Sequence, residues 1–126
     1  MTSIFHQLWY VATGGMRSWY EAKMFIEHAS AVSSDALHVL VGTLVWILAA
    51  IILRRNLSTL IPWTLVLGLT LSNEVVDLWI ERWPDLAMQY GESAKDIVLT
   101  MTLPTVLLLL ARTQPGLFHA FRRARR

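Results

Sequence analysis

The chain contains no cysteine, which excludes disulfide bridges, thiolate metal sites and cysteine nucleophiles. Charge is scarce as well: charged residues make up 16% of the chain against 55% hydrophobic, outside the balance of soluble domains. No Ser–His–Asp set, HExxH helix, phosphate-binding loop or nucleotide fingerprint is present. No nucleophile stands out, so the reading leans away from an enzyme while leaving a catalytic role open, and no nucleic-acid partner is expected.

What the 126 residues do hold is a set of apolar runs at 36–53, 60–80 and 97–111, without the continuous polar face of a soluble bundle. The expected fold is an all-α integral membrane protein of one domain. Residues 1–34 would form an N-terminal amphipathic interfacial segment and residues 35–112 a three-helix transmembrane domain. Its spans are expected at about 36–53, 60–80 and 94–111, with a basic tail at 113–126.

The middle run, LIPWTLVLGLTLSNEVVDLWI, is long enough to cross a bilayer yet carries Asn73, Glu74 and Asp77. An acid at the centre of a transmembrane helix costs about 2.5–3.5 kcal/mol, and less near an end. At about 100° per residue, Thr70, Asn73, Glu74, Asp77 and Glu81 share one side, which should face other helices or a wet cavity. Asp77 is close enough to the helix end to reach interfacial water, whereas Glu74 is a full turn deeper.

The first apolar patch is short, lacks a basic n-region and is interrupted by Gly14-Gly15, so it does not read as a cleavable signal. A helix is expected from Met16, with Trp19, Ala22, Phe25 or Ile26, Ala29 and Val32 at helical spacing. Lying in the interface plane is its simplest placement, and His6 and His28 read as ordinary interfacial residues. Ser33-Ser34-Asp35 is a helix start, and the eighteen residues after it rise about 27 Å, just enough to span. His38 lies near that start, and Gly42, Trp46 and Ala49 continue from it as a stripe whose small residues invite close helix approach.

Arg54-Arg55 ends this span, and the short loop after it requires an antiparallel hairpin. Ser58 or Thr59 is expected to cap the second span, with Pro62 in its first turn. Trp63 anchors one interface and Trp79 and Trp83 the other, with Trp19 on the N-terminal helix as a further anchor. Pro84 should stop the second span, and Ser93 should cap a third helix beginning near Ala94. Pro104 inside that helix should kink it and free the carbonyl of Thr100. Arg122, Arg123, Arg125 and Arg126 close the chain as an anchor to anionic lipid.

Basic residues concentrate in the first loop and the tail, so the positive-inside rule puts those in the cytoplasm and the N-terminal helix outside, in the cell (inner) membrane. His38, Glu74, Asp77 and Asp96, from three helices, then come to similar depth on the outer side. These residues, with Asn73 and Thr100, are the candidate ligand-binding set. His38, Glu74, Asp77 and Asp96 could hold a hard or borderline divalent cation. Alternatively they titrate against one another, or form a neutralised structural cluster in which Arg82 or Lys95 compensates the acids. Membrane lipids are the expected partners, together with other membrane subunits or further copies of the chain. An accessory subunit of a larger complex, with no chemistry of its own, is the alternative to a ligand-binding protein.

The pattern His38, Glu74-Val-Val-Asp77 and Ser93-Ala-Lys-Asp96 followed by Thr100 resembles the VanZ-like membrane proteins, named for a protein linked to teicoplanin resistance. The resemblance covers residues 36–111. It departs at Asp77, where the family usually has Gln, at Thr100, where it has Asn, and at Tyr90, where it has Arg. The family's glycine soon after that Asn is also missing. The resemblance implies a role at the cell envelope and points to the same four ionisable residues.

Overall fold

The computed structural model describes residues 2–116. These form four helices and no strand: α1 (Thr2–Ser30), α2 (Ser34–Ile52), α3 (Leu60–Ile80) and α4 (Leu86–Thr113). The chain is all-helical, and α2 and α4 are long and apolar enough to cross a membrane. Both helices leave most of their apolar surface outside the protein interior. α3 has the length, but its polar residues keep it out of that pair.

The helix starts are partly as the sequence predicts. Ser33 caps α2, accepting from Ala36 N, with Asp35 in the first turn. Thr59 is the N-cap of α3 but does not cap it through its side chain; its hydroxyl donates back to Asn56 O instead. At the other end of α2 the chain turns through Arg54 in the left-handed region (φ 52°). Arg55 N then donates to Ala50 O and Arg54 N to Ile51 O, a Schellman closure in a position that favours glycine.

Three expectations are corrected. α1 does not begin at Met16 but runs unbroken from Thr2 through Gly14-Gly15. Two glycines lower helix propensity by only about 1 kcal/mol each, and a 29-residue helix outweighs them. α4 starts at Leu86 rather than near Ala94, because Asp85 accepts from Ala87 N and buried Gln89 donates to Glu81 O, 2.6 Å away. Ser93 is therefore inside the helix, not its cap. α3 ends at Ile80, before Pro84 could stop it.

α2, α3 and α4 pack as an up-down-up bundle, and α1 packs chiefly against α3. Trp46, Val66, Met101 and Leu108 form the core, with Trp63 and Ile97 against it. The Gly42, Trp46 and Ala49 stripe faces this core, and the helix it admits is α4. A Cβ built on Gly42 would overlap the Thr100 carbonyl oxygen and stand 2.7 Å from Thr100 Cγ2. That carbonyl is the one Pro104, four residues on, cannot bond, so the α2 backbone covers the acceptor that proline exposes.

Polar side chains, Thr70, Glu74, Asp77, Gln89 and Thr100, are buried inside, while large aliphatic residues such as Leu44, Ile51, Leu69, Val98 and Leu109 face outward. Such a distribution suits a lipid solvent. Gly42→Ala is expected to destabilise the bundle by about 1–3 kcal/mol, read as a lower unfolding temperature in detergent. Gly68→Ala, where a Cβ meets nothing within 4 Å, is the control and should not lower it.

Candidate functional site

The sequence-selected residues converge toward one end of the bundle, near the start of α2, in the last third of α3 and in the first half of α4. His38, Glu74 and Asp96 each offer a ligand atom, and the three atoms lie within 4.8 Å of one another. Glu74 is 4% exposed, and its Oε1 accepts from Asn73 Nδ2 at 3.4 Å. Among the described residues no basic side chain pairs with it. His38 Nε2 faces Asp96 Oδ2 at 3.4 Å.

A second hydrogen-bond chain fixes the imidazole. Thr100 Oγ1 donates to Asp96 O at 2.7 Å, which uses its only proton. His38 Nδ1, 3.0 Å from the same hydroxyl, must therefore be the donor in that contact. In the neutral ring Nε2 is then the free nitrogen, and it points at the Asp96 carboxylate.

Asp77 and Asn73 are handled differently. Lys23 of α1 forms an ion pair with Asp77 Oδ2, which also accepts from Asn73 Nδ2 at 2.9 Å. Trp19 Nε1 donates to Asn73 Oδ1 at 3.0 Å. Trp19 and Lys23 are one helical turn apart on α1, as Asn73 and Asp77 are on α3, so the two pairs dock turn for turn. Asp77 Oδ1 is buried with no hydrogen-bond partner among the described residues. Lys95, expected as a partner of the buried acids, instead bridges Asp35 and Glu92 at the surface.

Sequence reasoning does not single out Lys23. The one-turn spacings of Trp19 to Lys23 and of Asn73 to Asp77 are visible in the sequence, but that these turns meet depends on where α1 crosses α3. Beside this contact, Tyr10, Arg17, Trp79 and Arg82 line an open cleft of about 570 Å³ between α1 and the end of α3. Trp9 meets Trp79 edge-on, with centroids 5.6 Å apart. Burial, and then the carboxylate of Glu81, push the Tyr20 hydroxyl up to about 12, so it remains a neutral donor.

The other predicted anchors are less free than expected. Trp63 Nε1 donates to Thr105 Oγ1 at 2.9 Å, and Trp83 Nε1 to Glu81 Oε2 at 3.0 Å. Arg122, Arg123, Arg125 and Arg126 lie outside the described residues.

Lys23→Met leaves Asp77 buried without its cation and should destabilise the protein. Adding Asp77→Asn should recover part of the loss, with a coupling of about 1–2 kcal/mol, since both groups keep some solvent access. Thermal unfolding of the four proteins of this double-mutant cycle in detergent measures it. In comparison with known proteins, no family model, curated protein or solved structure matches the chain.

Proposed function

We propose that this chain is a small multi-pass protein of the cell (inner) membrane with three spans, α2, α3 and α4, and with α1 along the outer interface. The polar end of its bundle binds a lipid headgroup, small ligand or cation that brings positive charge to Glu74. The observation that carries this reading is Glu74, 4% exposed beside a second carboxylate and an imidazole, with no basic partner among the described residues. A carboxylate buried that way is costly unless something positive meets it.

The orientation rests on the distribution of arginines. Arg54 and Arg55 follow the end of α2, and Arg112 Nε donates to Ser58 O at 2.9 Å, so all three lie at the end opposite the site. By the positive-inside rule that end is cytoplasmic and the site is in the outer leaflet. Arg17 and Arg82, lining the adjacent cleft and unpaired with acids among the described residues, suit the phosphate of a headgroup. The VanZ-like resemblance of residues 36–111 supports the same assignment to the envelope.

The accessory-subunit reading draws on α1, whose Tyr10, Val11, Phe25 and Ile26 are exposed. Native mass spectrometry of the protein in mild detergent, beside Glu74→Gln, separates the two. A lipid, metal or small-molecule adduct on the native chain that disappears in Glu74→Gln is the expected result. A complex with another protein that the substitution leaves unchanged would favour the accessory role.

A further inference from the structure

We infer that His38, Glu74 and Asp96 form a three-ligand site for a divalent transition metal ion of the zinc type. The inference rests on the polar-site reading above and names what brings the positive charge. Three independent features of the geometry lead to it.

The first is the orientation of the imidazole. Thr100 holds the Nδ1 proton, so Nε2 of the neutral ring presents a lone pair toward Asp96 Oδ2. Two lone pairs facing each other repel unless a cation lies between them. The second is their separation. A proton shared between an imidazole and a carboxylate draws the pair to about 2.7–2.9 Å. Two ligands on a tetrahedral ion, with bonds of about 2.1 Å, stand about 3.4 Å apart. The observed distance is 3.4 Å.

The third feature is the support around the ligands. Metal-bound histidine characteristically donates its other ring N–H to an oxygen, as His38 does to Thr100, and ligating carboxylates accept hydrogen bonds, as Glu74 does from Asn73. The Glu74 ligand oxygen lies within 4.8 Å of the other two ligand atoms, so a carboxylate swing of about an ångström completes the set. One nitrogen and two carboxylate ligands match zinc or a neighbouring first-row ion better than magnesium or calcium, which favour all-oxygen surroundings. Three protein ligands leave one tetrahedral position for water or a headgroup oxygen. Asp77 is not in the set because Lys23 already occupies it.

The test uses the full chain in detergent, stripped with chelator and reloaded with Zn²⁺ or Co²⁺. One equivalent of metal by elemental analysis, the intense visible bands of tetrahedral Co²⁺, and a raised unfolding temperature on reloading are expected. His38→Gln and Asp96→Asn should lose the metal while keeping helical circular dichroism, and Asp35→Asn, at a surface acid, should not. Thr100→Val keeps the side-chain shape but removes the oxygen that orients His38, and should weaken Co²⁺ binding about 10–100-fold. Should either ligand variant fail to fold, the native cobalt spectrum and the Thr100→Val affinity decide.

A folded native chain that takes up neither ion, or binds them equally after His38→Gln, overturns the metal assignment. If a headgroup or small-molecule adduct still disappears in Glu74→Gln, the polar-site reading survives with another ligand. If no adduct depends on Glu74, both readings fail together.

Discussion

The arrangement depends on how closely α2 and α4 approach at Gly42. With no side chain there, the α2 backbone rests on the Thr100 carbonyl, which Pro104 has left without its helical donor. A buried carbonyl in an apolar medium needs a partner, and a Cα–H contact is a weak one that requires such proximity. His38 is one turn from Gly42, so the same approach brings its ring to the Thr100 hydroxyl and to Asp96. The residues that close the helix pair thus also set the register of the site. A wider spacing would separate the imidazole from both groups.

Burial then sorts the remaining residues by solvent. Aliphatic side chains cover the outside of the bundle, whereas Thr70, Glu74, Asp77 and Thr100 occupy its interior. In water this would waste apolar burial, but in a bilayer it places each polar group where another protein group can answer it. The tie between Arg112 and Ser58 O closes the opposite end, leaving the acidic residues and the arginine-rich loop at opposite poles.

Much of this was legible in the sequence, and the exceptions have physical causes. The helical runs, the α2 cap at Ser33, the small-residue stripe and the meeting of His38, Glu74 and Asp96 follow from periodicity, capping chemistry and a short hairpin. Helix starts failed at two places: Gly14-Gly15, read as an interruption, and Ser93, read as a cap, both lie inside helices, because flanking helix length outweighs a local glycine propensity of about 1 kcal/mol and Asp85 caps α4 earlier. Lys23 was not found because its pairing depends on where α1 crosses α3, a tertiary fact that no period within one helix encodes. In the sequence the two acids differ only in depth, Glu74 lying one turn farther from the helix end than Asp77.

How differently these two acids of one stripe are paired bears most directly on function. Both are buried, and both could have been answered by basic residues, since α1 supplies Lys23 and Arg17 and the following loop supplies Arg82. Lys23 answers Asp77, while Arg17 and Arg82 line the neighbouring cleft and Lys95 bridges surface acids. A cluster built only for stability would gain by pairing Glu74 as well, because an unpaired buried charge costs more than a paired one. Glu74 instead faces an imidazole whose free nitrogen is held in place by Thr100, and a second carboxylate. Such a set would gain stability from a cation that joins it, whereas Asp77 already has its cation within the chain.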